Sequence, residues 1–519
     1  MTRLTRTPAW MITAACALLW LVIDPATPDL AAHFYRAEIA ERIGFGIYEQ
    51  GWYAGHHLPA YSVLMPPLAA LLSPQSVAAL ATVVASLCFE RLASAHWPPH
   101  RARLATLWFA VGVVSTLVGG QLAFAAGLAP ALGALLAATR GRNVLALALA
   151  AATTLTSPVV SAFLVLAATA WLLAERLRGP IWVATGAVVP GLLIAAAFSE
   201  GGMQPFSFSS FVWSFAVAVG AAVLLPRTER VLRIGAVLYA GALLAGVVID
   251  TPLGGNLVRL AAVFGGPLVI GALWNHKLRA VAVVALPLLY WQWLAPVRSV
   301  VRGAGDRSSL RAYHQPLIDE LDRRAAREGP FRTEIPFTAN HWETAFVAPD
   351  HPLARGWERQ LDIKLNPLFY DGSALTPAKY RRWLDDLAVR YVALSDIEAD
   401  PSGAAEDHLV RDGRVPGLRP VWLSPHWQLF RVEHPRPLAS APVRVTQLGV
   451  ASVQLATPRP ATATVRVRFT PYWRLNAPGC VSPAAGDWTR VRLDRAGPAS
   501  LQIKFALNRV GAAGPRCTR

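Results

Sequence analysis

The N-terminal half of the chain concentrates its acid–base and binding groups in one polar stretch, residues 24–57. It carries Asp24 and Asp29, then His33, Tyr35, Arg36, Glu38 and Glu41, and ends on Glu49-Gln50-Gly51-Trp52-Tyr53-Ala54-Gly55-His56-His57. Apolar runs flank it on both sides, and ionisable groups at the edge of hydrocarbon are costly unless paired or used. Asp29 follows Pro28 and opens a helical pattern, a position suited to an N-cap and equally to a catalytic carboxylate. Asp24, at the end of an apolar run, carries the same ambiguity. His56 and His57 are neighbours, so they point opposite ways in an extended segment and about 100° apart in a helix. One metal therefore does not take both. A divalent ion would need Asp24, Asp29 or another loop beside His56, and no HExxH or CxxC spacing is present. No cofactor is required by these residues. Trp52 and Tyr53 among small residues suit stacking on a sugar ring, and as readily an interfacial aromatic belt.

Further candidates lie beyond this stretch. Arg259 sits just inside an apolar segment, where it needs either a salt bridge, with Asp250 the nearest acid in sequence, or a bound anion such as a lipid phosphate. Arg298 and Arg302 flank the end of the apolar region and suit lipid phosphates in the same way. In the tail, Asn340-His341-Trp342-Glu343 and the run from Leu353 through Arg355, Trp357 and Glu358 to Asp362 are dense in polar and aromatic residues, a composition typical of binding loops. There is no Walker A loop, GxSxG elbow or dinucleotide GxGxxG, which disfavours ATP-driven transport, α/β-hydrolase and Rossmann chemistry.

The elements that must hold these groups are membrane helices. Of 519 residues, 54% are hydrophobic and only 16% charged, too apolar for a soluble protein of this length. The net charge of +17 does not imply nucleic acid, because no basic run is interleaved with aromatics. The basic residues instead punctuate the apolar sequence at Arg3/Arg6, Arg91/Arg101/Arg103, Arg140/Arg142, Arg176/Arg178, Arg227/Arg230/Arg233 and Lys277/Arg279. By the positive-inside rule these clusters are cytoplasmic. The N-terminal run 9–24 lacks a small-x-small cleavage site and reads as a retained first span. The stretch 58–93 gives one net crossing with a broken or re-entrant element near Met65-Pro66-Pro67. Hairpins follow at 104–139, 143–175, 181–225 and 234–273, turning at 119–121, 156–158, 199–206 and 250–256, and a last span covers 278–296. That makes about eleven crossings, with the N-terminus inside and the C-terminus outside.

From Arg298 the sequence reads as a soluble, extracytoplasmic tail. Residues 298–415 have α/β character: a helix over 308–327 capped by Ser308 or Ser309, strands at 331–337, 343–348 and 389–395, and a helix over 380–387. Residues 416–519 alternate in short runs bounded by Pro, Gly and Asp, including 421–423 and 427–432, as a small β-sandwich does. Cys480 and Cys517 fall in this tail. Outside the membrane they suit a disulfide that ties down the last strand, the other reading being two free thiols.

This order of parts, one span, an acidic first loop with an amphipathic helix, a many-span bundle and an outer α/β and β-sandwich tail, resembles the GT-C superfamily of integral-membrane glycosyltransferases. The segment Asp29-Leu30-Ala31-Ala32-His33-Phe34-Tyr35-Arg36, the segment from Gly51 to Pro59 and the run from Leu353 to Asp362 are similar to uncharacterised actinobacterial members. The resemblance implies a multi-pass plasma-membrane transferase that moves a sugar from a polyprenyl-phosphate-type lipid to a cell-envelope glycan or lipid acceptor on the outer face, inverting the anomeric centre. It implies a first-loop carboxylate as general base, Asp29 first and Asp24 second. The two aspartates stand apart rather than as the adjacent acidic pair of many members. The substrate-binding candidates are His56, His57, Trp52, Tyr53, Arg259, Arg298, His341, Trp342 and Glu343. Two other readings stand beside it: a non-catalytic scaffold that binds envelope glycan or a protein partner through its tail, and a transporter, for which no internal repeat of broken helices is evident.

Overall fold

The computed structural model describes residues 7–274, 278–372 and 375–518. Arg3, Arg6 and Lys277 lie outside the described residues, and the side chain of Arg279 does too. The chain forms two compact units. One, the membrane unit, comprises Met1–His33, Tyr61–Ala195 and Gly201–Ala304; the other, the tail unit, comprises Phe34–Ala60, Ala196–Glu200 and Gly305–Arg519.

The membrane unit is helical. In chain order its helices are α1 (Ala9–Ile23), the start of α2 (Pro28–Ile43), α3 (Met65–Leu72), α4 (Pro74–His96), α5 (Pro99–Gly112), α6 (Ser115–Val118), α7 (Leu122–Thr139), α8 (Asn143–Thr156), α9 (Pro158–Glu175), α10 (Gly179–Ala197), α11 (Phe208–Leu224), α12 (Arg230–Val248), α13 (Val258–Leu273) and α14 (Leu278–Gly303). Among the described residues seven helices are long and apolar enough to cross a membrane: α4, α5 continued through α6, α7, α9, α10, α12, and α13 with the 3-10 turn before it. Helices α8 and α11 are shorter but apolar. This is a multi-pass membrane protein. Short α3 precedes α4 across a break at Ser73, whose hydroxyl caps α4 by accepting from the Ser76 amide.

Small residues let these helices approach. A side chain at Gly266 would meet the Trp108 ring within 2.2 Å, so α13 and α5 touch there backbone to ring. Buried polar groups are paired across helices: the Thr13 hydroxyl donates to Ser86 Oγ at 2.8 Å and lies 3.0 Å from the Ala110 carbonyl. Arg101, one of the residues expected at a membrane border, stands in the first turn of α5 and is buried. Its Nε donates to the Gly271 carbonyl at 2.7 Å and its Nη2 to Glu229 at 3.3 Å, and Glu229 also accepts from Trp97 Nε1 at 2.9 Å.

The tail unit has an α/β part and a sandwich. Helix α15 (Arg311–Glu328) packs with the strands β1 (Arg332–Glu334), β2 (Val389–Ser395), β3 (Leu418–Leu423) and β4 (Trp427–Val432), in the order β1-β2-β4-β3 with only β1-β2 parallel. Short helices α16 (Glu343–Phe346), α17 (Arg359–Leu365), α18 (Pro377–Asp386) and α19 (Ala404–Arg411) connect them. Three expectations change here. The strands at 418–423 and 427–432 close the α/β sheet instead of opening the sandwich, because β4 pairs with β2 from Tyr391↔Arg431 to Ser395↔Trp427. The segment expected as a strand at 343–348 is helix α16: the Thr344 hydroxyl bonds back to the His341 carbonyl at 2.6 Å, and the amides of 344–347 turn to carbonyls of 341–343. The cap expected at Ser308 or Ser309 is not formed: α15 starts at Arg311 behind Leu310, which makes no side-chain cap bond, and Ser308 and Ser309 lie in a separate 3-10 turn capped by Asp306, which accepts from the Ser308 amide at 2.8 Å.

The sandwich stacks β5 (Arg444–Leu448), β6 (Ser452–Thr457), β11 (Gly497–Ile503) and β8 (Trp473–Leu475) in one sheet, ordered β5-β6-β11-β8. The other holds β7 (Ala461–Arg468), β9 (Gly479–Ala484), β10 (Trp488–Leu493) and β12 (Arg516–Thr518), ordered β12-β9-β10-β7. Alternate residues of β6, β7 and β10 point inward, so Val453, Leu455, Val465, Val467, Val491 and Leu493 fill the core, and Tyr48 of the first polar stretch joins them. Cys480 and Cys517 are joined in a disulfide across the β9–β12 pair.

Candidate functional site

Helix α2 begins at Pro28, so Asp29 lies inside the first helical turn rather than at the cap. A carboxylate there faces the positive end of the helix. The connection before it is tightly confined. Gly120 has φ +73°, and a Cβ on it would come within 2.5 Å of Thr27 Oγ1 and 3.3 Å of Asp29 Cβ; a Cβ on Gly303 would strike the Ala26 carbonyl. Two glycines, one in the turn before α7 and one ending α14, thus hold residues 26–29 in place.

Arg259, the second residue of α13, is half-buried, and its guanidinium lies over the Phe124 ring at 5.5 Å from the centroid. The ionisable groups near enough to act on it electrostatically are Asp29 and Tyr61. Asp250 is exposed, and among the described residues no ion pair joins it to Arg259, the salt bridge considered from the sequence. His33, one turn after Asp29, is buried and its ring centroid lies 6.2 Å from that of Tyr61. Asp29, His33, Tyr61 and Arg259 all belong to the membrane unit: a carboxylate, an imidazole, a phenol and a cation around the start of α2. Asp24 takes a different place. It ends α1 in a left-handed conformation, exposed, with its carboxylate accepting from Gln75 Nε2 at 3.3 Å. Arg298 is exposed on α14.

Tyr61 was not among the residues singled out from the sequence, and His33 was only one polar residue of the first stretch. The signal for His33 was its i, i+4 spacing from Asp29, which puts both on one face of a helix. Nothing in the sequence marked Tyr61, which follows the polar stretch by several residues of irregular chain.

The remaining sequence candidates are parts of the tail unit's interior. Trp52 and Tyr53, read as a sugar-stacking platform, are 0% and 1% exposed. Trp52 stacks on Tyr35 at 4.0 Å and Arg36 lies over its ring, while the Tyr53 hydroxyl donates to the Gly356 carbonyl. His56 is equally buried, with Nδ1 2.7 Å from Glu49 Oε1. Burial works against its protonation, but the Glu49 carboxylate outweighs that and holds its pKa above the ordinary value. Glu49 in turn accepts from the Tyr35 hydroxyl and from the Gly51 amide at 2.5 Å. The reason for this inward turn is density: three large aromatic side chains, Tyr35, Trp52 and Tyr53, pack around a His–Glu pair and bury more apolar surface together than they would flanking a loop.

His57 is bound on both ring nitrogens, Nδ1 to Glu200 Oε1 at 2.5 Å and Nε2 to Thr470 Oγ1 at 3.0 Å. The tail motifs expected as a binding surface are buried too. His341 stacks on Trp357 with centroids 3.5 Å apart, Trp342 packs on Phe34 and Phe346, and Glu343 accepts from the Thr338 amide at 3.3 Å and hydroxyl at 2.5 Å. Arg355 pairs with Asp362 at 2.7 Å and Glu406 at 2.6 Å between the rings of Phe337 and Phe369. These polar residues are spent on one another, which is why they tolerate burial.

Among the described residues no three His, Cys, Asp or Glu side chains are grouped to hold a metal ion. His56, named from the sequence as a partner for such an ion, is buried with Nδ1 engaged by Glu49.

No family model and no curated protein sequence matches the chain. Among solved structures it is similar to the arabinofuranosyltransferase AftD from Mycobacteria, at 14% identity and a TM-score of 0.44 over 96% of this chain, and to a mutant form of that protein at 14% identity and a TM-score of 0.46 over 97%. The chain spans only 57% and 60% of the length of those two structures. At such scores the likeness carries no argument, and the chemistry rests on the residues above.

Proposed function

We propose that the chain is a GT-C-type membrane glycosyltransferase whose site is the cluster of Asp29, His33, Tyr61 and Arg259. It transfers a sugar from a polyprenyl-phosphate-type lipid to a cell-envelope glycan or lipid acceptor on the outer face of the plasma membrane. The observation that carries this reading is the neighbourhood of Asp29 and Arg259 within the membrane unit. A base and an anion-binding cation sit at the start of one helix, in a bundle where an uncompensated charge would be expensive. The periodic basic residues support a bundle of eleven crossings with the N-terminus cytoplasmic and the tail extracytoplasmic. The disulfide between Cys480 and Cys517 supports the same orientation, because such bonds persist in oxidising compartments.

In the proposed reaction the Asp29 carboxylate takes the proton of the acceptor hydroxyl as its oxygen attacks the anomeric carbon. The bond from that carbon to the lipid phosphate breaks with inversion, and the phosphate leaves with both electrons. Arg259 holds the charge that develops on it. His33 and Tyr61 act as hydrogen-bonding groups toward the sugar. Asp24, exposed and engaged with Gln75, is the second candidate for the base, and Arg298 is a second cation for the phosphate. No step runs through a metal.

The test supplies membranes containing the protein with labelled polyprenyl-linked sugars and compares wild type with Asp29→Asn and Asp24→Asn. Loss of label transfer in the first alone is expected. Transfer that survives Asp29→Asn unchanged rejects Asp29 as the base, and no transfer by wild type from any such donor rejects the enzyme reading.

A further inference from the structure

One edge of the tail unit combines exposed large apolar side chains with unpaired basic ones. Phe45 is 65% exposed, Phe505 44% and Leu507 81%. Soluble surfaces seldom present several such groups together. Phe505 stands 6.0 Å from Phe198 and 5.2 Å from Tyr472, and with Phe45, Ile47 and Ile503 it lines an open groove of about 510 Å3. The covalent chain says what this groove is near. Phe198 follows Ala197, the last residue of the membrane-crossing helix α10, so it stands within one residue of the end of a span.

The charge of this edge has one sign. From Arg495 to Thr518 the chain contains no Asp or Glu but four basic residues, Arg495, Lys504, Arg509 and Arg516. Arg516 bonds the carbonyls of Tyr472 at 3.2 Å and Lys504 at 3.3 Å, and Arg509 bonds that of Pro471 at 3.3 Å, so both ring the aromatic cluster. Arg509 and exposed Arg474 are close enough to Arg516 for their charges to oppose its own. Among the described residues none of Arg474, Lys504, Arg509 and Arg516 forms an ion pair with a carboxylate. Like charges gathered without acids repel one another and attract anions. The disulfide fixes Cys517, and with it the strand carrying Arg516, against β9.

We propose that this edge is an interfacial anchor: Phe45, Phe505 and Leu507 insert among lipid headgroups and acyl chains, while Arg474, Lys504, Arg509 and Arg516 bind anionic lipid phosphates. Aromatic and aliphatic tips beneath a basic rim are the elements of interfacial binding, and each basic residue near an anionic surface adds to it. The proposal rests on the membrane-crossing helices and not on glycosyl transfer.

The test uses the full chain in nanodiscs of phosphatidylcholine alone or with phosphatidylglycerol. Cys16 and Cys88 are replaced by Ser, and an environment-sensitive fluorophore is placed on Leu507→Cys or, as a control, on Leu423→Cys, whose native leucine is 74% exposed on β3. The label at 507 is expected to be quenched by doxyl-labelled lipid, about twofold more in anionic discs than in neutral ones. The label at 423 is expected to stay aqueous. Lys504→Glu with Arg474→Glu should remove the difference between the discs. A label at 507 as unquenched as that at 423, or equal quenching at both positions, overturns the anchor. Quenching at 507 that ignores both lipid charge and the double substitution overturns the anionic-lipid assignment.

Discussion

Glu200 Oε1 lies 2.5 Å from both the backbone nitrogen and the Nδ1 of His57. Lys364 adds a bond to the Glu200 carbonyl, so Glu200, in the connection between α10 and α11, is clasped from two sides. Burial raises the Glu200 carboxyl pKa, but the His57 bonds outweigh that and leave it below the ordinary 4.5. A depressed folded-state pKa contributes stability above the unfolded value, lost as pH falls through the folded one. Glu200→Gln should therefore cost about 1.5–3 kcal/mol at neutral pH, the worth of hydrogen bonds to a charged group. The deficit should shrink below pH 4. Denaturation of wild type and variant across pH checks it; equal stability at pH 7 refutes the clasp.

Glu343 behaves in the opposite sense. Burial pushes its carboxyl up to about 8, against the bonds from Thr338. The folded state therefore holds a proton that the unfolded chain releases near 4.5, and stability declines as pH rises between those values. One such group contributes a slope of at most about 1.4 kcal/mol per pH unit. Glu334 and Glu406 are shifted upward as well, Glu406 to about 7, again led by burial. Glu343→Gln keeps an acceptor for the Thr338 amide and removes the titration. It should flatten the decline and stabilise the protein at pH 8, read as a rise in Tm over wild type; an unchanged pH profile refutes it.

Much of this architecture was legible from residue order. Arg140/Arg142 and Arg176/Arg178 bound helices α7 to α10 because charge is costly in hydrocarbon, and the helix expected over 380–387 is α18, which starts three residues earlier at Pro377. Position within the tail was less legible. Trp52, His56, His341 and Glu343 are residue types that either face a ligand or pair inside a core, and only their partners decide: Tyr35, Glu49, Trp357 and Thr338 lie from five to seventeen residues away in sequence, in separate elements or turns. Tyr61 and Arg259 illustrate the same limit in the membrane unit, nearly 200 residues apart in sequence.

Arg355 is 1% exposed and holds two fully buried carboxylates, Asp362 and Glu406. Tyr370 and Asn366 donate to Asp362 at 2.6 and 2.7 Å and complete the network. Arg355→Met keeps the apolar stem between Phe337 and Phe369 but strands both acids. Breaking a buried pair in this way costs about 3–5 kcal/mol. Adding Asp362→Asn and Glu406→Gln should recover part of the loss, because neutral groups no longer need the guanidinium. Thermal unfolding of the single and triple variants checks this; a triple variant no more stable than Arg355→Met refutes the charge account and leaves shape as the cause.

Gly120 offers a test of position that leaves every proposed reacting group in place. Its φ of +73° disfavours a side chain, and a methyl there would enter the space of Thr27 Oγ1 at 2.5 Å and press on Asp29 Cβ at 3.3 Å. Gly120→Ala should cost about 1 kcal/mol in backbone strain, too little to unfold the bundle. If Asp29 is the base, the displaced carboxylate should slow label transfer by about 10-fold or more, since sub-ångström misplacement of a reacting group carries penalties of that order. KM for the lipid donor should change little. The decisive comparison is with Gly141→Ala, which also has a positive φ, +68°, but has no atom near its added methyl. That variant carries the same backbone penalty without touching Asp29. Transfer rates that fall equally in both would trace the effect to general destabilisation, whereas a fall confined to Gly120→Ala ties the rate to where the Asp29 carboxylate stands.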